Sequence, residues 1–199
     1  MTWASVNRVD ARPHPGEERL LVLGGGYTGQ RFGRTLAARG LAVTLTRRDP
    51  PVGGDGEGGS EGEPGCPRWV RFDPANAVVP AAEALAGTTH VLVTIPPDGE
   101  GGDPVLTHLA DVLQTLPLRW VGYLSTTGVY GDRQGGWVDE GTPEAPGLER
   151  SRARLACENA WRRQGLPLQV FRLPAIYGPD RTPFRDLRQG TAQIGRAHV

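Results

Sequence analysis

The chain is short of the residues that build disulfide frameworks and metal sites. It has only two cysteines, Cys66 in a Gly/Pro-rich stretch and Cys157 in a helical pattern, with neither CxxC spacing nor a pairing framework. A reducing cytoplasm is the expected location. His14, His90, His108 and His198 lie in unrelated segments and join no Cys or acid cluster at ligand spacing, so no metal site is expected. Net charge is also lacking, because 22 basic side chains cancel 22 acidic ones. Nothing would draw the protein as a whole to nucleic acid or an acidic membrane surface, and small-molecule partners are expected. No run of 18 apolar residues occurs, and the opening MTWASVNRVDARPHPGEER lacks the apolar stretch of a signal peptide.

Glycine and proline, by contrast, are plentiful: 29 and 18 in 199 residues that are 38% hydrophobic. That mixture predicts many loops around one core, in a chain long enough for one domain. The expected organisation is a leader over 1–18, a domain over 19–190 and a separate tail over 191–199. The stretch 49–67 has almost nothing to bury and reads as a flexible insertion.

Inside the domain, strand and helix signals alternate. Arg19 to Leu23 is a short apolar run ending in glycines, as in a strand buried on both faces. A helix is predicted from Gly29 to Arg39, with Phe32 and Leu36 at i, i+4 and Gly40 as the stop. Leu41 to Thr46 completes a β-α-β unit. Further strands are predicted at 68–72, 90–95, 120–124 and 168–173, and helices at 81–86, 104–116 and 151–164. Asp103 is the expected N-cap of the 104–116 helix, with Pro104 at its first position. This alternation predicts an α/β, Rossmann-type, doubly wound and mostly parallel sheet with helices on both faces, and ligands at the carboxyl ends of the strands.

The first strand-to-helix turn reads Gly24-Gly25-Gly26-Tyr27-Thr28-Gly29, a G-x-G-x-x-G pattern in the context that gives it meaning. Gly24 permits the turn, Gly26 allows pyrophosphate to approach backbone, and Gly29 allows the helix to pack on the sheet. At the end of the second strand, where an acid would hold a ribose hydroxyl, the chain has Thr46-Arg47-Arg48. Two guanidinium groups there favour NADP, with NAD as the alternative.

Leu124-Ser125-Thr126-Thr127-Gly128-Val129-Tyr130-Gly131 and Arg172-Leu173-Pro174-Ala175-Ile176-Tyr177-Gly178-Pro179, together with the glycine turn, resemble the extended short-chain dehydrogenase/reductases, and among them the NAD-dependent epimerase/dehydratase family. The likeness runs from about Arg19 to Arg181. It implies that Thr126, with Ser125 beside it, holds the reacting oxygen, and that Tyr177 lies near the nicotinamide. The YxxxK pair of that family is replaced by Arg150 and Arg154. Arginine does not shuttle protons near neutral pH, although Arg154 could hydrogen-bond a ribose or phosphate. Tyr130 is a candidate substitute acid/base, and Asp139-Glu140 offers two carboxylates in the following loop. The resemblance implies an atypical NADP-linked oxidoreductase or epimerase acting on a hydroxyl or carbonyl substrate, such as one of nucleotide-sugar type; family members often pair through helices, which leaves a homodimer open without fixing the oligomeric state. The alternatives are a non-catalytic dinucleotide-binding sensor or scaffold, and a chain too short to fold stably. The chain is expected to be C-terminally truncated, because family members continue past the sixth strand, and Gln193 to Val199 match the translation of a sequencing-library adapter.

Overall fold

The computed structural model describes residues 18–50, 65–179, 181–182, 187–188 and 190. The expected leader, most of the insertion and the expected foreign tail lie outside the described residues.

Six strands form one parallel sheet: β1 (Arg19–Leu23), β2 (Ala42–Arg47), β3 (Arg68–Arg71), β4 (His90–Val93), β5 (Trp120–Thr126) and β6 (Leu168–Leu173). Their spatial order is β3-β2-β1-β4-β5-β6. This is the Rossmann arrangement, in which strand order reverses between β1 and β4 and opens a crevice at their carboxyl ends. The helices are α1 (Tyr27–Ala37), α2 (Ala82–Leu85), α3 (Pro104–Thr115) and α4 (Glu149–Arg162).

Alternate residues of each strand feed two separate cores, as the period of two requires. Leu21 and Leu23 of β1, Val91 and Val93 of β4, and Val121 and Tyr123 of β5 pack under α3 and α4, with Trp161 fully buried. Leu20 and Val22, Val43 and Leu45, and Leu92 face the other way, toward Ala37 of α1 and Trp69 of β3.

The predicted α1 differs from the observed one in both position and face. The helix begins at Tyr27, with Gly26 as its N-cap, and its buried residues are Gly29, Gly33 and Ala37, while Phe32 is 39% exposed. The reason is close approach: a Cβ on Gly33 would come 2.6 Å from Leu45. Small residues therefore face the sheet, and of the i, i+4 apolar pair Leu36 packs against that core while Phe32 does not. Asp103 caps α3 as expected, accepting from the Val105 and Leu106 amides at 3.0 Å each. Burial pushes its carboxyl above the usual range, against the pull of those bonds and of the Trp161 indole. Strand β4 stops at Val93, two residues short of expectation, and the Thr94 side chain turns to the glycine loop. Among the described residues no helix is long and apolar enough to cross a membrane.

Candidate functional site

The turn between β1 and α1 is held on both sides by threonine hydroxyls. The Gly24 amide donates to Thr46 Oγ1 at 3.0 Å, and Thr94 Oγ1 donates to the Gly24 carbonyl at 2.6 Å. Next along, the Gly25 amide donates to the Thr46 carbonyl at 2.6 Å. Thr46 and Thr94 lie at the ends of the two strands flanking β1, so the sheet itself sets the shape of the turn. Gly24 has φ of +112°, and a Cβ there would lie 2.3 Å from Thr94 Oγ1. A Cβ on Gly29 would lie 2.1 Å from the Gly24 carbonyl oxygen. A Cβ on Gly26, however, would meet nothing within 4 Å. The turn is crowded everywhere except at the glycine facing open space.

That space belongs to a cleft of about 670 Å³ between the ends of β1, β2, β3 and β4. The glycine turn, Arg47, Arg48 and Asp49 line it, together with Phe72 to Ala75 and Thr94 to Asp98. The α1 N-terminus has no acidic residue in its first turn, which leaves its amides available to an anion. Asp73 supplies a further acceptor. Its Oδ2 takes a hydrogen bond from Asn76 at 2.7 Å, whereas its buried Oδ1 has no partner among the described residues. Buried polar atoms are normally satisfied, so an unpartnered Oδ1 on a residue at the cleft wall is an exception.

Tyr27 links the turn to the loop after β6. Its hydroxyl donates to the Pro179 carbonyl at 2.9 Å, and the guanidiniums of Arg31 and Arg181 lie 4.4 and 5.6 Å from its ring centroid. A Cβ on Gly178 would meet the Tyr27 hydroxyl at 2.3 Å. Thr28 sits in the first turn of α1, and Tyr177 is 79% exposed.

The residues beyond β5 are differently placed. Thr126 accepts from the Gly128 amide at 3.1 Å and caps the short 3-10 turn Thr127–Tyr130. Ser125 donates instead to the fully buried Glu158 of α4. Glu158 also accepts from Arg172 at 2.8 and 3.2 Å and from Arg162 at 3.0 Å. Arg172 reaches on to Glu144 and stacks 4.7 Å over the buried Tyr130 ring. These bonds to Glu158 and Glu144 raise the Arg172 pKa still further, and the Arg172 bond holds the Glu144 carboxyl below its usual range.

Arg154, which the resemblance puts at the lysine position of the YxxxK pair, points across the ends of β4 and β5. Its Nη1 donates to Tyr123 Oη at 3.1 Å, to the Leu124 carbonyl at 3.3 Å and to the Ile95 carbonyl at 3.4 Å. Burial drives the Tyr123 phenol well above its ordinary range despite the arginine beside it. Arg150 is exposed. Asp139 closes its own loop, accepting from Gly141 and Thr142, and Glu140 is exposed. Among the described residues no group of His, Cys, Asp and Glu could hold a metal ion.

Sequence reasoning missed Thr46 and Thr94 as anchors of the turn and Asp73 as an open acceptor. A threonine at the end of each flanking strand was the visible signal for the first two. Asp73 carried none, because its missing partner exists only in three dimensions.

No protein-family model and no curated protein matches the chain. Solved structures do. One is a functionally unknown conserved protein from Silicibacter pomeroyi DSS, 37% identical, with a TM-score of 0.68 over 92% of this chain and 58% of that one. Another is UDP-glucuronic acid 4-epimerase from Bacillus cereus in complex with NAD, 19% identical, with a TM-score of 0.64 over 86% of this chain and 62% of that one. A third is TunA, an NAD-dependent NDP-hexosamine 5,6-dehydratase of tunicamycin biosynthesis, 21% identical, with a TM-score of 0.60 over 83% and 57%. The chain thus spans about three fifths of the length of these structures. Its Rossmann-like α/β fold is that of NAD-dependent epimerase/dehydratase structures.

Proposed function

We propose that the chain binds NADP in the β1–β4 crevice, as the nucleotide half of an atypical epimerase/dehydratase-type oxidoreductase acting on a hydroxyl or carbonyl substrate. The observation that carries this reading is the turn crowded at Gly24 and Gly29 yet open at Gly26, beside a cleft with a free buried acceptor. The residues fit the parts of a dinucleotide. Gly26 and the α1 amides suit pyrophosphate, Asp73 Oδ1 suits the adenine amino group, and Arg47 and Arg48 suit a 2'-phosphate. NAD, which the Bacillus cereus epimerase holds, is the alternative cofactor.

A bound nicotinamide would supply hydride chemistry. For proton transfer the chain offers Thr126 as a hydroxyl at the end of β5 and Tyr130 beneath Arg172, since guanidinium side chains are donors without an acceptor site. One observation favours the second reading, a dinucleotide-binding sensor or scaffold without turnover. Ser125 and Arg154 are both engaged inside the fold, one with Glu158 and the other with strand-end carbonyls and a phenol.

Calorimetric titration of the full chain with NADPH and NADH tests the binding claim. The expected result is binding of both with NADPH the tighter, and a well-folded sample that binds neither overturns the proposal. Binding without hydride exchange across a panel of sugar-nucleotide substrates favours the sensor reading.

A further inference from the structure

The register of β2 and β3 makes Arg47 the direct neighbour of Arg71. Adjacent strands lie only about 4.8 Å apart, so two cations stand side by side at the sheet's carboxyl end, and both are exposed. Two residues earlier the same register pairs Leu45 with Trp69, apolar against apolar, in the core beneath α1. By the alternation of strand side chains, Arg47 and Arg71 continue that face beyond the core, on the side of the sheet that carries α1.

Like charges set side by side on neighbouring strands repel. Among the described residues neither Arg47 nor Arg48 has an ion-pair partner, and Arg71 has only Asp73, 3.9 Å away. Arg71 is nevertheless held in the cluster, because its Nε donates to the Arg48 carbonyl at 3.1 Å. The bond draws a third guanidinium to the residue that lines the cleft. Three arginines against Asp49 and Asp73 leave a net positive corner. A phosphate monoester, carrying between one and two negative charges and three acceptor oxygens, matches it in charge and donor geometry.

We propose that Arg71 is a specificity-determining residue, the third cation of a 2'-phosphate site formed with Arg47 and Arg48; the inference rests on the NADP reading above. Arg71 answers to the 2'-phosphate alone. An Arg71 that merely ties β3 to β2 would act on stability and on both cofactors alike.

The test compares the full chain with Arg71→Met, which keeps the apolar stem and loses every donor. Titrations use NADPH and NADH, and then 2',5'-ADP and 5'-AMP as probes of the 2'-phosphate by itself. The expected result is about a tenfold loss for NADPH and 2',5'-ADP, the equivalent of one charge-assisted bond, with NADH and 5'-AMP unchanged. Equal losses for all four ligands, or no loss for any, overturn the role of Arg71 while leaving the cofactor reading intact. An unsubstituted chain with no preference for NADPH removes the cofactor reading and this inference together. If R71M does not fold, R71K carries the test. It retains the charge but not the planar fork, and the expected loss is about threefold for NADPH, with none for NADH.

Discussion

The two halves of the strand-end surface treat their polar groups in opposite ways. Around β5, α4 and β6 the charges satisfy one another: Glu158 is fully buried and takes bonds from Ser125, Arg162 and Arg172. Around β1, β2 and β3 they do not, since Asp73 Oδ1 lacks a partner among the described residues and Arg47 stands beside Arg71. A closed network can be read as architecture, whereas an open one costs free energy until something fills it. The contrast favours the glycine-turn side for the proposed binding.

The largest effect should come from breaking the closed half. Glu158→Ala leaves Arg172 without its main partner in a buried position and should cost about 3–5 kcal/mol of stability, read by urea denaturation. A loss below about 1 kcal/mol would show that Arg172 is held by Glu144 alone.

Next in size is a pair of glycine substitutions that separates fold from binding. Gly24→Ala meets a positive φ and the Thr94 hydroxyl, so about 1–3 kcal/mol of stability should be lost along with cofactor binding. Gly26→Ala meets nothing in the protein, so the thermal midpoint should hold while NADPH affinity falls at least about tenfold, a loss of roughly 1.4 kcal/mol. Unchanged affinity in G26A would move the pyrophosphate away from this turn.

Smaller still, Arg47→Ala with Arg48→Ala should weaken NADPH by about tenfold, in line with one to two screened charge-assisted bonds, and leave NADH nearly untouched. Equal weakening of both cofactors in parallel titrations would dismiss the NADP assignment.

The smallest effect concerns acid. Arg172 lowers the folded-state pKa of Glu144, so the folded protein binds fewer protons there than the unfolded chain. The resulting stability is present above the unfolded value of 4.5 and is lost as pH falls through the lower folded one. Glu144→Gln should therefore flatten the decline of the urea midpoint below about pH 4.5, and an unaltered decline would assign it to other carboxylates.

Much of the fold was legible because its signals are local. The apolar run Arg19 to Leu23, the Asp103-Pro104 start of α3 and the span of β6 each stand as expected, since a strand buried on both faces and a capped helix leave marks within a few residues. The face of α1 was not legible. Gly33 and Ala37 pack on the sheet because the helix approaches closely, and closeness is a property of two elements at once. The same holds for the site. G-x-G-x-x-G announced a turn, yet only the neighbouring strand ends show why Gly24 is held by Thr46 and Thr94.

The sequence by itself determined the order of elements, the place of the glycine turn, the two arginines after β2 and the arginines at 150 and 154, since each depends on residue type and spacing along the chain. The tertiary structure decided which of those groups are already engaged. Ser125 meets Glu158 across 33 positions, Arg154 meets Ile95 across 59, and Arg71 reaches Arg48 across 23. Whether a polar atom is satisfied or open is a matter of distance in space, and a parallel sheet brings together residues that the chain keeps far apart.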